Sequence, residues 1–183
     1  MSMQSFSPDV ARGLGGPDWL VARRLAALQA LETTPFPSTE EEIWRYSRIA
    51  ELDLAKYTAG RVDTTVDAGD ASSIVDTKGT FADCGRAMPI AVDAFAEISA
   101  IASTGADADI VTIRVPKGKA FSTPIVITRT VGASGLLATP RIVIDAGENS
   151  EVTVVERFVS ADGVDSLVVP VVEMSAAQSA RIT

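Results

Sequence analysis

A mostly β fold preceded by helices, its second half wound as a β-helix, is the architecture this sequence predicts, and three observations carry it. A β-branched strand, a small polar turn and another strand recur in the second half at about 29 to 30 residues. Ile113-Arg114-Val115-Pro116-Lys117-Gly118 aligns with Ile142-Val143-Ile144-Asp145-Ala146-Gly147, and Ser150-Glu151-Val152-Thr153 aligns with Ala180-Arg181-Ile182-Thr183. A unit of that size cannot bury its apolar side chains alone, so copies must stack and cover one another. Finally, helical spacing of apolar residues is confined to the chain before Ile110, and β-branched segments separated by Gly, Pro and Asp dominate after it.

The elements follow in order. Residues 17 to 32 read as a first helix: Pro17 and Asp18 suit its start, and Val21, Leu25 and Leu28 recur at helical spacing. Thr33-Thr34-Pro35-Phe36-Pro37 ends it. Ser38 with Glu41, or Thr39 with Glu42, then fits a capping box, which predicts a short second helix carrying Trp44, Arg45 and Tyr46. Its aromatic pair is expected to pack against the first helix instead of forming a ligand platform. From Thr58 to Thr80 the chain turns to Gly, Asp, Thr, Ser and Ala, which supports short irregular strands or a mobile connection, and makes this the predicted boundary.

Ala91, Val92, Phe95, Ile98 and Ile101 then allow a helix between Pro89 and Gly105, placed ahead of the strand stack as a cap on one end. Strands are predicted at Ile110 to Val115, Ile125 to Thr130, Arg141 to Asp145, Val152 to Val159 and Leu167 to Met174. The chain therefore divides into a helical region 1-57, a connecting region 58-109 with short strands and a helix, and the start of the stack, 110-183. Since alternate strand positions share a face, Ile113, Val115, Ile125, Ile127, Ile142, Ile144, Val152 and Val154 should form the first buried layer, with Arg114 and Val143 facing away.

Composition removes several classes of function. The 183 residues are 46% apolar and 22% charged, ordinary for a folded protein, and the net charge of −8 opposes contact with nucleic acid. The first residues have neither a basic region nor an apolar run, and no stretch approaches a membrane span of ~20 residues, so a soluble, cytoplasmic protein is expected. Cys84 is the one cysteine and histidine is absent. An intrachain disulfide, a CxxC pair, a histidine-based triad and an imidazole-ligated metal site are all excluded within one subunit.

The remaining chemical candidates are thin. Gly118-Lys119 fails as a phosphate loop, because Ala120 stands where Ser or Thr is needed and Ile113 where the first glycine belongs. Arg114, Lys117 and Lys119 read instead as a solvated turn and its strand, with partner contact as the other reading. Glu156 alternates with Val154 and Phe158, so an inward carboxylate there needs a charged or hydrogen-bonded partner, an arginine at a rim position being the plain expectation. Asp67, Asp70, Asp107 and Asp109 lack the frame of a calcium loop and are expected to face solvent in turns. Pro170 within Val168-Val169-Pro170-Val171-Val172 marks a strand corner or bulge. No catalytic, cofactor-binding or metal-binding residue is assigned.

Several segments nevertheless resemble one family in the same order. Glu41-Glu42-Ile43-Trp44-Arg45-Tyr46-Ser47, Ile113 to Gly118, Pro124-Ile125-Val126-Ile127 and the run Pro140 to Glu156 are similar to the SufB/SufD family, the tryptophan-bearing segment more to SufD than to SufB. The resemblance covers most of the chain from about Pro35 onward, apart from Asp63 to Thr80 and the departure at Glu97-Ile98-Ser99. It implies a helical N-terminal region, a right-handed parallel β-helix and a C-terminal helical segment. It also implies a non-catalytic scaffold that works with SufB and the ATPase SufC to assemble iron–sulfur clusters.

Family members run to more than twice this length, so the chain is expected to be an N-terminal fragment that ends inside the β-helix. The ATPase-binding segment and the cluster-linked histidine and cysteine positions would lie in the missing part or in SufB. A lone Cys84 cannot hold a cluster. On this reading the 183-residue piece alone binds no cluster, hydrolyses no ATP, recruits SufC weakly and has a tendency to self-associate. The alternatives are the SufB paralogue of the same complex, or a β-helical enzyme acting on polysaccharides, for which the chain offers few aromatics and no clustered carboxylates on adjacent strands.

Overall fold

Strands of the second half pair with strands roughly one repeat further along the chain, and always in parallel. This computed structural model describes residues 6–80, 84, 93–103 and 109–183. β4 (Ile110–Val115), β7 (Arg141–Ala146) and β11 (Val171–Ala176) form one ladder, with Ile113 opposite Ile144 and Ile144 opposite Met174. β5 (Ile125–Val131) pairs with β9 (Val154–Ser160), β6 (Leu136–Ala138) with β10 (Leu167–Val168), and β8 (Glu151–Val152) with β12 (Arg181–Ile182). Side chains that bond across these ladders, Thr128 to Arg157, Glu151 to Arg181 and Lys117 to Glu148, are 29, 30 and 31 residues apart. Parallel neighbours cannot be joined by a hairpin, so each circuit of about 30 residues visits the other ladders before returning.

The sequence alignment of the repeat holds in one block and slips in the other. Glu151 pairs with Arg181 and Val152 with Ile182 as aligned, but Ile113 faces Ile144, not Ile142. The cause is a longer corner in the first circuit. Ala120 bridges Glu151 and Ile125 pairs with Val154, so the first circuit accommodates two more residues in the stretch Phe121 to Pro124 than the second does. An even slip leaves every side chain on its original face.

The predicted buried layer therefore survives. Ile113, Val115, Ile125, Ile127, Ile142, Ile144 and Val152 are buried in one cluster with Ala68, Ala71 and Ala146, and Val154 packs against it while half-buried. Arg114 is exposed. Val143 lies on the opposite face, half-buried against Leu20 and Ile110. At about 1.5 to 3 kcal/mol for each fully buried aliphatic side chain, this layer is the main cohesive element of the stack.

Of the two readings of this stretch, short irregular strands or a mobile connection, the structure has the short strands, and they belong to the sheets. β1 (Thr58–Gly60) lies parallel to β6, β2 (Asp63–Asp67) antiparallel to β5, and β3 (Val75–Asp76) antiparallel to β4. Together they cover the outer edge of the first circuit on three of its ladders, where unpaired strand edges would otherwise face solvent. That covering role had been expected of the helix before Ile110. Three-strand cover was illegible because such short, polar strands take their order from the edge they pair with, not from their own pattern.

α3 (Ala94–Ala102) does form where a helix was read, with Asp93 as its cap accepting from the Ala96 N–H at 2.7 Å; Ala91 and Val92 lie outside the described residues. Its composition, Ala-Phe-Ala-Glu-Ile-Ser-Ala-Ile-Ala, is apolar apart from Glu97 and Ser99, and most of the helix is buried accordingly. It shares a cluster with Ala27, Leu31, Leu54, Tyr57 and Leu137, so the helical part and the strands have a common core.

α2 (Asp18–Leu31) matches the predicted span, but its buried stripe is Leu20, Arg24, Ala27 and Leu31, one position from the expected Val21, Leu25 and Leu28. An arginine at the centre of the stripe displaced the reading. The unpredicted α1 (Pro8–Gly13) has a legible start in Ser7-Pro8-Asp9, with the Ser7 hydroxyl accepting from the Val10 N–H at 3.2 Å. Among the described residues no helix is long and apolar enough to cross a membrane.

Candidate functional site

Two buried arginines tie successive circuits of the stack together. Arg129 on β5 alternates with Ile125 and Ile127 and so points inward, where its side chain is fully buried. Its Nε donates to Glu156 Oε1 on β9 at 3.0 Å, one terminal nitrogen donates to Thr64 Oγ1 on β2 at 2.7 Å and to the Asp109 carboxylate, and the other donates to the Arg141 carbonyl at 3.2 Å. Thr64 in turn donates to Asp109 Oδ1 at 2.9 Å. A single guanidinium thus joins two strands of its own ladder to the entries of β4 and β7. Arg141 pairs with Glu173 of β11 at 2.6 Å, extending the bonding to the third circuit.

Arg129 satisfies the requirement placed on Glu156, an arginine partner for an inward carboxylate. The same test applied to Arg129, a charge in an inward register between isoleucine and valine, would have identified the other half. Asp109 differs from expectation: it is half-buried against Arg129 instead of facing solvent, because its position just before β4 puts it beside the guanidinium. Asp67 and Asp70 are exposed as expected, and Asp107 lies outside the described residues. Lys117 bonds Glu148 at 2.5 Å across adjacent circuits, Lys119 is exposed, and Gly118 takes the positive φ of a tight turn. Pro170 separates β10 from β11 at a corner, as predicted.

Chemically, these pairs hold the stack. Each carboxylate of the Arg129 and Arg141 clusters faces a guanidinium, with Asp109 and Glu156 sharing Arg129, an arrangement that offsets charge and fixes geometry. Cys84 is half-buried against Leu20 and Ile110, its thiol directed to the Thr80 carbonyl at 3.7 Å. Among the described residues no group of three or more His, Cys, Asp or Glu side chains is placed to hold a metal ion.

A third buried arginine serves the helices. Arg24 donates from Nε to the Ser103 carbonyl at 2.8 Å, and from a terminal nitrogen to the Ala11 and Gly15 carbonyls at 3.2 and 2.6 Å. Those carbonyls stand at the C-terminal ends of α1 and α3, where partial negative charge collects. Burial lowers the Arg24 pKa from its ordinary value. Glu97 of α3, also buried, reaches Arg23 of α2 at 3.0 Å. Tyr57 donates to Asp165 at 2.9 Å, and burial first, then that bond, raises its phenol pKa.

The segment resembling Glu41 to Ser47 departs from its predicted helix. Trp44 N–H bonds the Glu41 carbonyl, Arg45 N–H the Glu42 carbonyl and Ser47 N–H the Trp44 carbonyl, a run of three-residue turns. Half of the capping box is present, the Ser38 N–H donating to Glu41 Oε1 at 3.0 Å. The half-buried Trp44 meets Phe95 of α3 at 5.6 Å, tilted, and Phe36 meets the same ring edge-on at 6.0 Å. Replacing Trp44 with alanine should therefore cost roughly 2 kcal/mol, below the 3 to 5 of a fully buried aromatic. Urea unfolding would measure it; an unchanged midpoint would mean the indole contributes no packing.

Comparison with protein-family models gave no match, and comparison with curated proteins likewise gave none.

Proposed function

We propose that the chain is a SufD-like, non-catalytic scaffold component that works with SufB and the ATPase SufC in the cytoplasm to assemble iron–sulfur clusters, and that residues 110–183 are the first turns of a right-handed parallel β-helix. The observation that carries this reading is the set of parallel ladders, offset by 29 to 31 residues and preceded by helices, which is the order of elements the resemblance implies. The resembling run Pro140 to Glu156 falls on β7, β8 and the start of β9.

A scaffold in such an assembly must carry force without deforming. In the reading implied by the resemblance, SufC hydrolyses ATP and its movement passes through SufB and SufD to expose an assembly site. Circuits held by buried aliphatic layers and by Arg129 with its several partners are suited to that role, since each circuit packs on the next. The cluster is then cargo of the whole complex, with no ligand assigned in this chain. Co-expression of the intact gene product with SufB and SufC tests the proposal. Co-purification of the three in fixed ratio is expected, and recovery of a SufB–SufC complex that excludes this protein would overturn it.

A further inference from the structure

We propose that the Asp162-Gly163 turn is a site of spontaneous aspartate isomerisation, and that the isoaspartate formed there is displayed on the folded protein as a methyl acceptor for a carboxyl methyltransferase. The inference stands apart from the scaffold reading. Asp162 is the one aspartate in the sequence followed by glycine. Every other aspartate precedes a residue whose β-carbon obstructs the approach of the side chain to the next amide nitrogen.

The fold leaves this step open. It lies between the end of β9 at Ser160 and the start of β10 at Leu167, with both residues exposed. The Val164 N–H reaches the Ala161 carbonyl at 3.4 Å, Gly163 has a φ of 80° and Asp162 a negative φ, which together make a type II turn. Among the described residues neither the Asp162 carboxylate nor the Gly163 N–H has a hydrogen-bond partner. A β-carbon on Gly163 would meet nothing within 4 Å, so the central peptide of the turn is free to rotate and carry its nitrogen onto the carboxyl carbon. Asp93 and Asp165 are held, by contrast, accepting from the Ala96 N–H at 2.7 Å and the Tyr57 hydroxyl at 2.9 Å.

The chemistry needs only loss and return of water. The Gly163 nitrogen bonds to Asp162 Cγ, its proton and a carboxyl hydroxyl leave as water, and a succinimide ring forms. Water then opens the ring. Attack at Cγ restores aspartate, whereas attack at the main-chain carbonyl leaves the backbone running through Cβ and Cγ with the α-carboxylate as the side group. The lengthened backbone stays within the turn, because the next corner is fixed from several sides. The Asp165 N–H donates to Ser134 Oγ at 3.0 Å, its carbonyl accepts from the Gly135 N–H at 2.7 Å, and its carboxylate holds Tyr57. The stack therefore remains folded, and the new carboxylate is presented to an enzyme that esterifies it with the methyl group of S-adenosylmethionine.

The test incubates the intact protein and a free peptide spanning Val159 to Ser166 in the same mildly acidic buffer. Isoaspartate is mapped by electron-transfer fragmentation, and transfer of tritiated methyl from S-adenosylmethionine by a purified isoaspartyl methyltransferase is measured on the folded protein. Because an exposed turn opens at almost no free-energy cost, conversion at Asp162 should proceed within about threefold of the peptide's rate. Methyl label should appear without unfolding, and both signals should be lost in Asp162→Glu, whose longer side chain would have to close a six-membered ring. A rate more than about tenfold below the peptide's would overturn the proposal. So would equal isoaspartate at another aspartate, label acquired only after unfolding, or label undiminished in Asp162→Glu.

Discussion

Replacing Arg129 with methionine is expected to destabilise the protein by about 3 to 5 kcal/mol, the cost of removing one partner from a buried ionic cluster. The volume is nearly kept, so packing loss is minor and the effect comes from Asp109 and Glu156, which are left carrying charge away from water with no guanidinium between them. Set against a typical total stability of about 5 to 15 kcal/mol, that is enough to unfold a substantial fraction of molecules. Arg129→Lys should restore little, since an ammonium on a flexible stem cannot reach Glu156, Thr64, Asp109 and the Arg141 carbonyl together. Adding Asp109→Asn and Glu156→Gln to Arg129→Met should recover part of the loss by removing the stranded charges. Urea denaturation of the four proteins reads the series, and an Arg129→Met midpoint equal to the parent's would show that the cluster is solvated and contributes little.

Gly147→Val is expected to cost about 3 kcal/mol by overpacking the contact between successive circuits. A β-carbon at this position would lie 2.7 Å from the Lys117 nitrogen and 2.9 Å from the Val115 carbonyl oxygen, both backbone atoms of the preceding circuit. The Gly147 N–H already donates to that same Val115 carbonyl at 2.8 Å, so the two chains cannot separate without losing the bond. Gly132 serves as the control, having nothing within 4 Å of such a carbon. Gly132→Ala should change stability by less than about 0.5 kcal/mol. Equal melting temperatures for the two variants would mean that the circuits are not in contact at Gly147.

These two residues also mark where the sequence was legible. Strand limits could be read because short β-branched runs between Ile110 and Ile144 are bounded by Gly, Pro and Ser turns, and such punctuation is a local property. Register could not, because it depends on a corner near Phe121 to Pro124 that is two residues longer in one circuit than in the next. Arg129 was overlooked because its partners come from Thr64, Asp109 and Glu156, positions far apart in the chain that only the folded circuits bring together. Arg24 was missed for a related reason: its partners are backbone carbonyls, which leave no trace in a pattern of side chains. The covering strands of residues 58–76 and the turns around Trp44 lack strong patterns of their own, and they take their form from β4, β5, β6 and Phe95.

Each circuit lies in parallel on the one about 30 residues before it, and nuclear Overhauser contacts between backbone protons read that pairing residue by residue. Cross-strand contacts should link Ile113 to Ile144, Ile144 to Met174 and Ile127 to Glu156, all in the parallel pattern. Antiparallel contacts joining β4 to β5, or β7 to β9, as in consecutive hairpins, would contradict it.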